Sequence, residues 1–520
     1  MKKYLLFIVF VLITSLNSCN YLNMNKESTS DAFILEEATI ADIHKAFKNG
    51  SLTAEKLVNL YIARVQKYDQ STGLNSIILI NPKAIETARE LDKEFQETGE
   101  LRPLHGIPMI VKDNYNTQGL QTTAGSLALK GFEPKEDAFQ IKAVKAAGAI
   151  VLAKSNMAEW AFSPMVTISS FAGETLNPYN LKHVPAGSSG GTAASVAANF
   201  GAVGFGTDTG NSIRGPGSHN SLVGFRSTLG LTSREGIAPL YLRNDVGGPL
   251  ARTVTDATRI LEVIAGYDPN DPITIHSQGK IPDNYQQFLV TDGLKGARIG
   301  ILRELSEKDP NPEIKALFEQ AIEDLKRLGA EIIDPIVIPG FDTLRRNQWC
   351  SMFKEDVNNY LTSLGDDVPV KNLDEIIASG KYAPYIEGNL LYHQNADPED
   401  AGHECSDPYT DSRRIAFRKA IEDVMDSNQL GAIIYPTWNN PPALVGDFEG
   451  YKGDNSQIIA PHTGQPAFTI PMGFSGGNLP AGLQFLGRMY DEPTLIKYCF
   501  AYEQGTMHRK APELFPAIQE

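Results

Sequence analysis

Gly187-Ser188-Ser189-Gly190-Gly191 runs into Thr192-Ala193-Ala194-Ser195-Val196-Ala197-Ala198-Asn199-Phe200, then Ala202-Val203-Gly204-Phe205, and ends in Thr207-Asp208-Thr209-Gly210-Asn211-Ser212-Ile213-Arg214. A Gly-Ser loop, a helix of small residues and a short apolar strand follow one another. Strands buried on both faces read as continuous apolar runs, and their alternation with helical segments marks a layered α/β fold. The rhythm recurs on both sides. Residues 76–80, 109–111 and 149–153 read as strands, with a helix over 137–147. Residues 298–302, 312–328 and 331–337 repeat strand, helix, strand, and 431–436 and 466–471 read as buried strands. Near the front, Ile40, Ile43, Ala46 and Phe47 recur at helix spacing, and Thr53 caps a second helix over 52–65. The expectation is an α/β chain with a mixed β-sheet core between layers of α-helices.

The chemistry concentrates in the same stretch and in one upstream segment, Gly106-Ile107-Pro108-Met109-Ile110-Val111-Lys112-Asp113-Asn114. A serine hydroxyl is a weak nucleophile until a base takes its proton. Lysine is a base only when neutral, and burial favours the neutral amine by stripping water from the charged form. Lys112 ends an apolar run that leads into the interior. A lone lysine there is ordinarily a strand-end charge, and it is the two serine motifs that raise it above that. Ser188 sits among glycines, which tolerate unusual backbone. Ser212 closes a tight turn in which successive N–H groups can converge on one oxygen.

The three segments, in this order and spacing, resemble the amidase signature family, which hydrolyses amides with a Ser–Ser–Lys triad. The resemblance runs from about residue 38 to 505. It includes Thr122-Thr123-Ala124-Gly125-Ser126, Lys154-Ser155-Asn156-Met157-Ala158-Glu159-Trp160, Gly248-Pro249-Leu250-Ala251-Arg252 and Gly464-Gln465-Pro466-Ala467. It implies Ser212 as nucleophile, Ser188 as bridging serine on a cis peptide bond, and Lys112 as base. It implies an oxyanion hole at Thr209, Gly210 and Asn211, with Ser189, Asp208 and Arg214 as supports. It implies no metal and no organic cofactor. The segment near Thr122 looks closest to bacterial peptide amidases, which remove C-terminal amides. One departure stands out: the commonest family pattern has glycine where this chain has Asn211. Asparagine tolerates left-handed backbone better than most residues, so the turn is expected to survive.

Composition sets outer limits. The chain has 520 residues, 42% of them hydrophobic, and a formal net charge of −15, with no basic block. That balance disfavours nucleic acid as a partner. Lys2 and Lys3 precede an apolar run from Tyr4 to Ile13, too short to span a membrane, and Leu16-Asn17-Ser18-Cys19 follows. This resembles a bacterial lipobox and implies a signal peptide over 1–18, lipidation of Cys19, a polar tether over 19–37 and a single enzyme domain over 38–520. The expected setting is the cell envelope, with the lipid as membrane anchor. Cys350, Cys405 and Cys499 complete the cysteines and form no evident disulfide framework, although export permits one bridge.

Other readings stand beside the amidase. Gly187-Ser188-Ser189-Gly190-Gly191 also satisfies the nucleophile-elbow pattern of α/β-hydrolases, with Ser189 as nucleophile and His462 or His508 as base; residues 181–186 make a poor strand for it. A binding lipoprotein on an inactive amidase fold is a second. A tRNA-dependent amidotransferase subunit is a third, set against the export segment because its partners are cytosolic. His403 and Cys405 are too few to hold a metal. The expected substrate is a small-molecule or peptide amide. The stretch 340–430 offers no usable motif.

Overall fold

A computed structural model describes residues 33–397 and 405–518. In chain order the strands are β1 (Ile77–Ile80), β2 (Pro108–Lys112), β3 (Ile150–Ser155), β4 (Thr167–Ser169), β5 (Gly173–Thr175), β6 (Val203–Asp208), β7 (Val223–Arg226), β8 (Val246–Ala251), β9 (Arg298–Ile301), β10 (Glu331–Ile333), β11 (Ala432–Pro436), β12 (Ala467–Ser475) and β13 (Leu479–Leu486). Eleven of them form one sheet in the order β1-β3-β2-β6-β8-β7-β12-β13-β11-β9-β10, and β4 pairs with β5 apart from it. β3, β2 and β6 run parallel, as do β11, β9 and β10. The hairpin of β12 and β13 and the strands β7 and β8 are antiparallel. The fold is therefore α/β with a mixed sheet flanked by helices, as the sequence predicts.

Three parallel neighbours position the site. β2, β3 and β6 are buried along their whole length, which explains their unbroken apolar character. Their carboxyl ends share one sheet edge, where parallel α/β sheets place ligands. Lys112 ends β2, and Thr207 and Asp208 end β6. The Gly190–Ala197 helix lies hard against this edge. A Cβ on Gly191 would stand 2.1 Å from the Asn156 carbonyl oxygen, and one on Gly204 would stand 2.5 Å from Thr192 Cγ2. Small residues are the condition for that approach, so the Ala-rich helix and the glycine-bearing strand belong together.

Several boundaries differ from expectation. The strand predicted over 331–337 ends at Ile333, since Pro335 has no N–H to offer the ladder. The small-residue helix stops at Ala197 instead of Phe200. Residues 33–37, assigned to the tether, pack on the domain: Leu35 is buried, Glu36 pairs with Arg64 at 2.5 Å and Glu37 with Arg509 at 2.7 Å. Two acids and one leucine find partners far away in sequence, which local polarity does not reveal. Cys19 and the segment before it lie outside the described residues, as does His403. Cys350 and Cys405 form a disulfide, while Cys499 is free and buried. The motif-poor stretch holds helices at Phe353–Ser363, Leu373–Ser379 and Glu387–Asn395. Their Phe353, Leu361, Ile376 and Leu390 build a second core against Leu129 and Trp160.

Candidate active site

Lys112 is fully buried at the end of β2. Its Nζ donates to Ser188 Oγ at 2.7 Å and to Thr207 Oγ1 at 2.7 Å. Asn114 Nδ2 donates to the same Thr207 oxygen at 3.1 Å. Burial lowers the Lys112 amine from 10.5 to about 7, against the upward pull of Asp245 and Asp208. The amine is thus poised between its charged and neutral forms near neutrality. Ser188 follows Gly187 across a cis peptide bond, and its side chain is buried.

The turn from Asp208 to Arg214 is tied into a closed frame. Asp208 accepts from the N–H groups of Ile213 at 3.2 Å and Arg214 at 3.3 Å. It also pairs with the Arg214 and Arg226 guanidinium groups, each at 3.0 Å. Burial pushes the Asp208 carboxyl up, but the two arginines outweigh it and hold it at about 2. Arg214 further donates to Gly210 O at 2.7 Å, Ser456 O at 2.8 Å and Gln484 Oε1 at 3.0 Å. Thr209 Oγ1 donates to Asp245. Fixed at both flanks, the turn leaves the N–H groups of Gly210 and Asn211 without an acceptor among the described residues. Preorganised donors of this kind are what an oxyanion requires.

Ser212 lies at a cavity of about 180 Å³, which Thr209, Gly210 and Asn211 also line. Its Oγ donates to Asn211 Oδ1 at 3.3 Å and makes no hydrogen bond to Ser188. Asn211 is not in the left-handed region, so the backbone tolerance expected of it is not used. What distinguishes it from glycine here is its side chain.

Ser189 sits apart from the cavity. It donates to Thr207 O at 3.2 Å and accepts from Thr207 N–H at 3.3 Å, so it joins the Gly190–Ala197 helix to β6. His462 packs its ring on Trp349 and His508 lies 3.6 Å from Asp324. Neither serves Ser189, and the elbow reading has no base among the described residues. Lys154 donates to Tyr115 O at 2.5 Å and Thr122 Oγ1 at 3.1 Å and stands 3.7 Å from Asp113, so this second buried lysine props the loop after Lys112.

The outer cavity wall comes from segments in which the sequence carries no motif. Phe162, Tyr241 and Trp349 give aromatic faces, and Asn389, His393 and Gln457 give polar groups. Phe162 stacks on His393 at 5.4 Å between ring centres. Burial takes the His393 imidazole down to about 4, so it is neutral, and none of the described lining residues carries a charge. Thr207, Asn114, Arg226 and Asp245 are further site residues that sequence reasoning misses. Thr207 lies inside the quoted motif, yet a strand-end threonine looks the same whether it meets a lysine or a strand neighbour. Trp349, next to a cysteine that forms a disulfide, is the one available signal for the wall.

Comparison with known proteins places the chain as a whole. The family model described as Amidase matches residues 56–496. A probable amidase of Arabidopsis thaliana is 35% identical over 528 residues, covering 98% of this chain and 97% of its own. A glutamyl-tRNA(Gln) amidotransferase subunit of a Synechococcus strain is 32% identical, covering 92% of this chain and 94% of its own. Among solved structures, the peptide amidase from Stenotrophomonas maltophilia superposes with a TM-score of 0.83 at 34% identity, covering 93% of this chain and 99% of that one. A match along nearly the whole chain, at this identity and in this fold, makes the protein a member of the amidase signature family.

Proposed function

We propose that this amidase hydrolyses a carboxamide, with peptide amides as the favoured class, through an acyl-enzyme on Ser212. The observation that supports it most is the Lys112 amine, brought down to about 7 by burial and 2.7 Å from Ser188 Oγ, close to a cavity that Ser212 lines. With the amine neutral, Ser188 passes its proton to Lys112 while taking that of Ser212. The Ser212 oxygen bonds to the carbonyl carbon, and the oxyanion faces the N–H groups of Gly210 and Asn211. The proton returns through Ser188 to the departing nitrogen, the C–N bond breaks, and ammonia or an amine leaves. Water then attacks the acyl-enzyme by the same route and releases the acid.

The uncharged aromatic cavity suits a neutral acyl portion, and the likeness to a peptide amidase supports a peptide as that portion. We also propose that the protein works outside the cytoplasm, tethered by a lipid on Cys19. The disulfide between Cys350 and Cys405 supports an oxidising compartment.

The test of the chemistry is Ser212→Ala. It is expected to abolish both turnover of a blocked peptide amide and covalent labelling by a fluorophosphonate, with the circular dichroism spectrum unchanged. Labelling that survives Ser212→Ala and is lost in Ser189→Ala would overturn the assignment.

A further inference from the structure

Asn211 makes a contact that glycine cannot. Its Oδ1 accepts from Ser212 Oγ at 3.3 Å, and its Nδ2 donates to Pro164 O at 3.0 Å. The second bond fixes which end of the carboxamide faces the serine, since a flipped amide would set its oxygen against the Pro164 carbonyl. The chain makes room for this side chain: a Cβ on Gly215 would stand 2.7 Å from Asn211 Nδ2. Asn211 is almost fully buried and lines the same cavity as Ser212. A hydrogen-bond acceptor is thus held at the reacting centre, and the resting Ser212 hydroxyl is its partner.

That partner leaves during the reaction. To give up its proton, Ser212 must turn its O–H from Asn211 to Ser188. Oδ1 then faces the reaction centre with no donor, and a buried acceptor without a donor is costly. The group bonded to the attacked carbon decides whether the loss is made good. The nitrogen of a carboxamide carries N–H, and the alkoxy oxygen of an ester carries none.

We infer that the Asn211 side chain is a specificity-determining residue that accepts an N–H from the scissile carboxamide nitrogen, selecting amides with an N–H over esters. The inference rests on Ser212 as nucleophile. In the step it serves, the Ser212 Oγ–carbon bond forms and the Ser212 proton passes through Ser188 to Lys112. The proton then returns to the nitrogen, the carbon–nitrogen bond breaks, and Oδ1 holds one N–H throughout. A site built to bond an N–H discriminates against the analogue that lacks it, because the site's own acceptor is left unpaired.

The experiment compares a blocked dipeptide primary amide with the methyl ester of the same dipeptide. The wild type, Asn211→Gly, Asn211→Ala and Ser212→Ala are assayed side by side, with fluorophosphonate labelling as a check on the site. In both Asn211 variants the ratio of amide to ester kcat/KM is expected to fall by about tenfold or more, the scale of one hydrogen bond. Any loss through the altered turn should fall on both substrates and cancel in the ratio, and fluorophosphonate labelling reports whether Ser212 still reacts. A ratio within twofold of wild type overturns the inference, and so does equal loss of both substrates and of labelling, which would assign the side chain to the fold alone. Failure of the underlying reading shows separately: Ser212→Ala would then keep amide turnover.

Discussion

Lys112 shows how the same residue type takes opposite roles in one protein. Lys154, on the neighbouring strand, is equally buried, and burial lowers its amine too, to about 8, but the nearby Asp113 carboxylate pulls back toward the charged form. Lys112 faces hydroxyls, with its acids further off, and burial takes its amine lower, to about 7. The sign of the pH effect follows. Below about 7 the Lys112 amine is protonated and cannot take the Ser188 proton, and above that it is free. The kcat/KM of an uncharged amide is therefore expected to climb with pH through neutrality and level off above it. Lys112→Ala should lose roughly 10²- to 10⁴-fold in rate, the usual share of a general base. Lys112→Arg should be no better, because a guanidinium keeps its proton. Both variants should lack the climb near neutrality, as measured by rate profiles from about pH 5 to 9, spanning the ordinary range of a tuned base. A profile unchanged in Lys112→Ala would remove the residue from the mechanism.

At the scale of elements, legibility follows burial. β2, β3 and β6 are readable in the sequence because burial on both faces forces continuous apolar runs, and the Gly190–Ala197 helix because only small residues fit its seat. The serine motifs and Lys112 are readable because each lies within a few residues of a strand or helix end. The outer wall is not. Trp349 and His393 meet the cavity through a helical excursion far from Ser212 in sequence, packed by its own second core. No local pattern in Glu387–Asn395 marks it as a cavity wall. In sequence Asn211 reads as a backbone residue, and its meaning lies in partners at Pro164 and Ser212 that only the fold brings together. The close seat of the helix gives a test at this scale. Gly191→Ala places a methyl group against the Asn156 carbonyl. Overpacking of this kind costs about 1–3 kcal/mol. It should appear as a lower urea midpoint, together with a lower kcat because Ser188 shifts with the helix it precedes. An unchanged midpoint would mean that the helix has slack there.

For the whole molecule, the disulfide decides more than its small size suggests. Cys350 follows Trp349, and the bridge to Cys405 closes a 55-residue span that carries Asn389 and His393. Two residues of the outer cavity wall are thus held in one covalent loop, and a third, Trp349, adjoins its first cysteine. Closing a loop of that length restricts the unfolded chain by about 4 kcal/mol in the chain-entropy view. The loop stabilises the wall only where the bridge persists, and cytosolic reductants would open it. Thiol chemistry therefore tests the proposed export and the architecture together. In the lipidated protein Cys19 is blocked as a thioether, Cys350 and Cys405 are joined, and Cys499 is free but buried. Protein taken from the envelope and unfolded without reductant should bind one equivalent of maleimide, and three after reduction, counted by intact mass. Cys350→Ser combined with Cys405→Ser should melt several degrees lower. It should also raise KM for the peptide amide more than it lowers kcat, since the loop holds substrate walls and not the Lys112–Ser188 pair. Four reactive thiols without reductant, Cys19 among them, would place the working protein in a reducing compartment, and the Cys19 anchor would fall with that result.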